Sequence, residues 1–264
     1  MSVPRPDLAN VSPRELMAVF VSRQIENEQY VAIAANMPVT TAGVLLANLT
    51  HAPDLHISAL SFFMSLLKVE QFKDLGQIAS PRFARWAEAV WPLDALLDAV
   101  PRMDWSFTGA MQVDAYGNTN LIGVGSDHSQ LTAVGPGNTG SSTVMAIVKS
   151  YMIYMSRHTT RQFVEKVDFR SAVGFGTGGD DRARLGLPGG GPRFVLTPKA
   201  VLDFEPGTGR IRLLHLLPGV SVDDVVANTG FELVLPPSAP EMQPPTPEEM
   251  DILRTRIDPE GVLR

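Results

Sequence analysis

The chain contains no cysteine, which excludes disulfides, cysteine-ligated zinc, iron–sulfur clusters and a thiol nucleophile. An excess of positive charge is also missing: 22 Lys and Arg stand against 28 Asp and Glu, for a formal net charge of −6. The basic residues are dispersed, so the footprint of a nucleic-acid binder is absent and no nucleic-acid partner is expected. Long apolar runs are lacking too. The most apolar helix-like stretch, Val144 to Met155, is about half the roughly 20 residues a bilayer span needs, and Lys149 interrupts it. The N-terminal MSVPRPDLANVSPREL has no apolar centre of the kind a secretory signal carries. No membrane association is expected, and the expected location is the cytoplasm. The five histidines, His51, His56, His128, His158 and His215, fall at no metal-ligand spacing, so no metal is expected. No G-x-S-x-G elbow is present either.

What is present suits a large folded core. Apolar residues make up 44% of 264 residues and charged residues 19%, enough for one large α/β domain. Ser12-Pro13-Arg14-Glu15 combines an N-cap serine, a proline at the first helical position and a glutamate placed to bond back, so a helix starts there. Tyr30 to Ala35 reads as a buried strand, Thr40 or Thr41 as the cap of a helix through Leu49, and Leu55 to Ile57 as another strand. Strand and helix alternate, as in a parallel sheet. Downstream, Met111 to Val113 reads as a strand, Tyr116 to Asn118 as a turn and Thr143 to His158 as a helix. From Phe194 onward, short apolar runs (FVLT, AVLDF, IRLLHLL, FELVL) separated by turn signals predict a strand-rich C-terminal part. The Pro-rich stretch near 236–247 predicts an extended surface connection, and Thr246-Pro247-Glu248-Glu249 repeats the capping pattern for a last helix. The expected fold is therefore α/β, with a mostly parallel sheet flanked by helices, in a single domain over 1–264.

Several motifs carry possible chemistry, and each also has a plain structural reading. Gly174-Phe175-Gly176-Thr177-Gly178-Gly179 satisfies G-x-G-x-x-G. The paired aspartates that follow would repel phosphate, so a flexible or partner-facing loop is the better reading. Gly135-Pro136-Gly137-Asn138-Thr139-Gly140 could present backbone N–H groups to an oxyanion, or could be a turn before a helix. Asp127-His128 reads as a surface hydrogen-bonding pair, and Asp114 and Asp127 as turn-capping aspartates. The methionines at 145, 152 and 155 read as core or subunit interface.

The segment Gly109-Ala110-Met111-Gln112-Val113-Asp114-Ala115-Tyr116-Gly117-Asn118-Thr119-Asn120 resembles the G-A-x-Q-x-D-x-Y-G-N-x-N signature of β-type subunits in the family I CoA-transferase superfamily, the glutaconate CoA-transferase type. The likeness continues through Val134 to Gly137, Phe163 to Phe169, Leu185 to Pro192 and Thr229 to Leu233. It covers the chain from about Val19 to Pro259. Such subunits carry a nucleophilic glutamate in an E-S-G segment after the second strand. Here Leu60 stands in its place, and a leucine cannot attack a thioester. The family's glycine pair is altered too, since Gly137 is followed by Asn138.

These departures resemble a branch of the family, the ring-opening hydrolases of bacterial steroid catabolism. That resemblance implies C–C hydrolysis of a cyclic β-keto acyl-CoA, with no cofactor beyond the CoA of the substrate. It implies a homologous α subunit, in a heterodimer or α2β2 heterotetramer, that supplies the general base, since this chain shows no convincing catalytic residue of its own. The residues it places at the substrate are Leu60, Phe62, Gln112, Gly135, Pro136, Gly137 and Asn138, with Phe63 beside them. A CoA-transferase subunit of the glutaconate type and a noncatalytic scaffold are the alternatives.

Overall fold

A computed structural model describes residues 10–34, 36–59, 64–67, 75, 84–85, 87–138 and 140–264. The chain divides into two compact units, Met1–Trp105 with Gln243–Arg264, and Ser106–Met242.

In the first unit, helix α1 (Pro13–Arg23) begins at the predicted capping box: Ser12 accepts from the Glu15 N–H, and the Glu15 carboxylate accepts from the Ser12 N–H. Every position from Glu15 to Ser22 is buried, as expected of a helix packed on all sides. Strand β1 (Tyr30–Ile33) is followed by α2 (Pro38–Thr50). The predicted Thr40 or Thr41 cap is displaced: Pro38 occupies the first helical position and both threonines lie inside the helix, because proline's fixed φ suits the first turn and its missing N–H costs nothing there. A side chain at Gly43 would collide with Val21 and the Ala18 carbonyl, so glycine sets the close approach of α2 to α1. Strands β2 (His56–Ala59), β3 (Met64–Leu67) and β4 (Ala87–Val90) complete the sheet of this unit in the order β1-β2-β3-β4. The β1–β2 pair is parallel, and the β2–β3 and β3–β4 pairs are antiparallel. Helix α3 (Leu93–Ala99) follows. The C-terminal helix (Pro247–Ile252) starts at Thr246 with a second capping box, as predicted.

In the second unit, β5 (Trp105–Gly109) leads to two small antiparallel ribbons, β6 (Gln112–Val113) with β7 (Thr119–Asn120), and β8 (Gly123–Gly125) with β9 (Leu131–Val134). The predicted helix from Thr143 to His158 is corrected: α4 (Ser141–Ile147) ends at Val148, whose backbone is extended, and β10 (Ser150–Tyr154) takes over. Tyr151, Met152 and Ile153 are fully buried. A short, continuously apolar run has no periodicity that separates a buried strand from a buried helix. Helix α5 (Asp181–Arg184) and strands β11 (Pro192–Leu196), β12 (Ala200–Phe204) and β13 (Ile211–Leu216) follow, then α6 (Val222–Ala227). The main sheet of this unit runs β5-β10-β11-β12-β13. Its β10–β11 pair is parallel, and the β11–β12 and β12–β13 pairs are antiparallel. The α/β class and the strand-rich C-terminal part are thus as the sequence predicts. The FELVL run, read as a strand, instead joins the Pro-rich stretch as a strap along β13. Leu213 N donates to Val234 O and Leu216 N to Pro240 O, which occupies backbone groups a sheet edge would otherwise leave open. Met145, Met152 and Met155 are core residues.

Candidate functional site

The signature segment folds into a closed polar network. Asp114, buried at the end of β6, accepts from the N–H groups of Tyr116 (3.0 Å) and Asn118 (3.1 Å). It caps the predicted turn in the way its sequence context implies. Burial pushes its carboxyl above the usual range in spite of these donors and the Asn118 amide. Gly117 takes φ +72°, and a side chain there would strike the Phe204 ring, so the turn needs glycine on both counts. The Asn118 amide reaches out of the turn, donating to Gly176 O at 2.7 Å and accepting from Gly174 N at 3.0 Å. Asn120 donates to Gly123 O and to Gln112 Oε1, both at 2.7 Å, and accepts from Ile122 N at 2.9 Å. Gln112 Oε1 also accepts from Asp168 N at 3.0 Å. The carbonyl oxygen of Gln112 is therefore already committed inside the protein, where it ties three segments together.

The loop after β9 is held from two sides. Gly135 N donates to Ile122 O (2.8 Å) and Gly137 N to Leu121 O (3.0 Å). A side chain at Gly135 would collide with the Leu121 carbonyl. Gly137 sits at φ +90° with open space around it. On the other side, the Asn138 amide donates to Ser171 O at 2.9 Å, while the Ser171 hydroxyl accepts from Leu121 N at 2.7 Å. From sequence, the N–H groups of this run are collectively candidate oxyanion donors. The geometry separates them: Gly135 and Gly137 have spent theirs, Pro136 has none, and only the Asn138 N–H has no acceptor among the described residues. Asn138 Oδ1 is buried and also lacks a partner among them. Helix α4 starts only at Ser141, after Gly140 in the left-handed region. Leu60, Phe62 and Phe63 lie outside the described residues.

The glycine-rich segment is tied to the signature turn and to α5 through Gly174 and Gly176. Arg182, buried on α5, donates to five backbone carbonyls: Gly189 (2.8 Å), Val173 (2.8 Å), Gly174 (3.0 Å), Met145 (2.8 Å) and Ala146 (3.2 Å). The planar fork of the guanidinium satisfies acceptors from three segments at once. Sequence reasoning missed this residue because a basic side chain in a DDRAR run looks solvated. It also missed the tying roles of Asn118 and Asn120, for which the paired asparagines of the signature were the available signal.

The remaining candidates have structural roles. Asp127 accepts from Ser129 N (2.7 Å), and that residue's hydroxyl and N–H hold its carboxyl below the usual range. His128 stacks on Phe169 with ring centroids 4.5 Å apart. His158 is buried, stacked 4.0 Å from Phe163, with Nδ1 and Nε2 each 3.0 Å from a threonine hydroxyl, Thr197 and Thr229. Thr229 gives its own proton to Val225 O at 2.8 Å, so Nε2–H donates to Thr229, while the single proton of the Thr197 hydroxyl is shared between Nδ1 and Ala200 O at 2.9 Å. Burial pushes the His158 pKa down to about 4, with Lys199 adding to the effect. Among the described residues, no group of His, Asp and Glu could hold a metal ion, and no helix is long and apolar enough to cross a membrane. A cavity of about 390 Å³ is walled by Phe175, Phe194, Phe204, Arg193 and the Arg212–Asp203 ion pair. No sequence-predicted site residue lines it.

Comparison with known proteins agrees with this arrangement. The chain is 34% identical over 263 residues to the B-type subunit of glutaconate CoA-transferase from Acidaminococcus fermentans, covering 96% of this chain and 95% of that one. The crystal structure of glutaconate coenzyme A-transferase from the same organism superposes with a TM-score of 0.85 at 29% identity, over 96% of this chain and 97% of that one. The cholesterol ring-cleaving hydrolase IpdB subunit of Mycobacterium tuberculosis is 27% identical, covering 94% and 95%. The Rhodococcus jostii IpdAB structure matches with a TM-score of 0.77 at 26% identity, over 96% and 97%. The coenzyme A transferase family model matches residues 14–228, most of the chain, and the chain belongs to the coenzyme A transferase family.

Proposed function

We propose that this chain is the β subunit of a heteromeric hydrolase that opens the ring of a cyclic β-keto acyl-CoA in late steroid C and D ring degradation. The reading is carried by Leu60, which the family resemblance puts where transferases of this type have their nucleophilic glutamate. A leucine at that position offers no carboxylate to hold an acyl or CoA group covalently, whereas hydrolysis needs only an activated water and a stabilised enolate. The relatives named as cholesterol ring-cleaving hydrolase subunits support the assignment, and the two-chain relatives support an α partner.

In this reaction water adds to the ring ketone and gives up a proton to a general base. The adjacent C–C bond then breaks, and its electron pair moves onto the thioester as an enolate. The enolate takes up a proton, leaving a ring-opened acid that keeps its CoA. The donor assigned to the enolate oxygen is the Asn138 N–H, because the neighbouring glycine N–H groups are committed to Leu121 and Ile122. A fixed donor in a water-excluded site acts where charge develops. The base is assigned to a carboxylate of the α subunit.

The 34% identity to a transferase chain favours a second reading, CoA transfer between carboxylic acids with the nucleophile in the partner. Incubating the complex with the cyclic β-keto acyl-CoA in oxygen-18 water, with and without a free acid acceptor, separates the two by mass spectrometry. A ring-opened product that retains CoA and gains label in both conditions supports hydrolysis. CoA appearing on the acceptor sinks it. Leu60→Glu tests the position itself, with detectable CoA transfer as the expected gain.

A further inference from the structure

We infer that the β8–β9 hairpin, Gly123 to Val134, is the surface on which the α subunit docks. The ribbon is a sheet of its own, two strands with no third among the described residues. Its β9 strand exposes Thr132, Ala133 and Val134 in succession. Because successive strand residues point to opposite faces, three exposed neighbours mean that neither face of β9 is covered. A two-stranded hairpin is marginal in water by itself. Here it is tied at its base, where Gly123 O accepts from the Asn120 amide (2.7 Å), and near its turn, by Gly125 N donating to Asp168 (2.9 Å) and by His128 stacked on Phe169, which leaves β9 itself open. Val134 is 80% exposed, more than any other large apolar residue described.

The occupant follows from what the hairpin is made of and where it leads. Between Gly123 and Pro136 the only carboxylate or ammonium-type charge is Asp127, at the turn. Toward β9 the surface is Leu131, Ala133, Val134 and Pro136, which suits an uncharged apolar patch of the kind found at the centre of stable subunit interfaces. The strand then runs directly into the Gly135–Asn138 loop. A partner that brings a general base to a substrate held at that loop has to approach along the strand that enters it. The inference rests on the two-subunit reading above, but its readout is assembly and is independent of which reaction the complex performs.

The test is co-expression with the α subunit and measurement of the αβ dissociation constant by mass photometry across a dilution series. Val134→Asp is expected to weaken assembly at least about tenfold, since it places an unpaired carboxylate in a desolvated apolar contact. Val90→Asp and Val226→Asp, at other exposed apolar positions (61% and 42%), are expected to assemble as wild type. Val134→Ser, too mild to unfold the chain at an exposed site, should shift assembly in the same direction by a smaller factor. Wild-type assembly by both Val134 variants would overturn the inference. So would dissociation caused by Val90→Asp alone, or loss of self-association of this chain with αβ assembly intact.

Discussion

The Asp114–Asn120 turn and the β8–β9 hairpin follow one another in sequence and treat their chemical groups in opposite ways. In the turn, nearly every polar atom is buried and paired: Asp114, Asn118, Asn120 and Gln112 exchange hydrogen bonds with one another and with Gly123, Asp168, Gly174 and Gly176. In the hairpin and the loop that follows it, apolar side chains stand in solvent, and one backbone donor and one side-chain acceptor of Asn138 lack partners among the described residues. Buried polar groups that are fully paired specify a rigid arrangement. Thr119 Oγ1 is an exception within the turn, buried without a partner among the described residues. Uncovered apolar surface beside an unsatisfied loop is where a substrate or a second chain can be accommodated. The family signature thus marks scaffold, and the proposed chemistry is placed beside it.

The contrast can be broken most severely at Arg182. Arg182→Met removes the donors to five backbone carbonyls, three of them in buried hydrogen bonds, and should cost more than about 4 kcal/mol, read as the shift in denaturant midpoint. A loss below about 1 kcal/mol would mean those carbonyls find other partners.

A second break uses pH at His158. Its folded pKa is lowered to about 4 from an unfolded value near 6.5, so the unfolded chain binds the extra proton first as acid is added. Stability contributed by the neutral ring is fully present above about pH 6.5 and is lost as pH falls toward 4, by about 3 kcal/mol in all. His158→Gln should flatten that part of the stability-versus-pH curve; an unchanged slope would assign it to other groups.

Asn138→Gly sharpens the comparison from the other side. It keeps the N–H assigned to the enolate but cuts the side-chain tie to Ser171, and should lower kcat on the order of tenfold while changing stability by less than about 1 kcal/mol. Equal effects on kcat and stability would make Asn138 part of the scaffold. The smallest effect is expected for Val134→Ser in the isolated chain, within about 0.5 kcal/mol of wild type in unfolding free energy, because the residue has little to lose until a partner covers it.

Much of this was legible locally. Both capping boxes, at Ser12 and Thr246, form as their spacing predicts, because N-cap bonds close within four residues and need no tertiary help. The Asp114 and Asp127 turns and strands β11, β12 and β13 appear for the same reason. The chain from Val144 to Met155 was illegible because it is apolar at every phase, so only its place in the sheet chose helix for one half and strand for the other. The ties of Gly174 and Gly176 to Arg182 and Asn118 were not legible because nothing in a glycine-rich run says which donors will reach its carbonyls.

By itself, then, the sequence determined the family, the α/β class and the local start signals, since each depends on residue identity or on bonds spanning a few positions. Only the tertiary structure decided which N–H of the 135–138 loop remains available, that Gln112 is spent internally, and that Arg182 is buried. Those outcomes depend on acceptors brought from Leu121, Ile122 and Ser171 and on the Asp168 N–H donor, and a hydrogen bond between segments far apart in sequence leaves no periodic trace in either one.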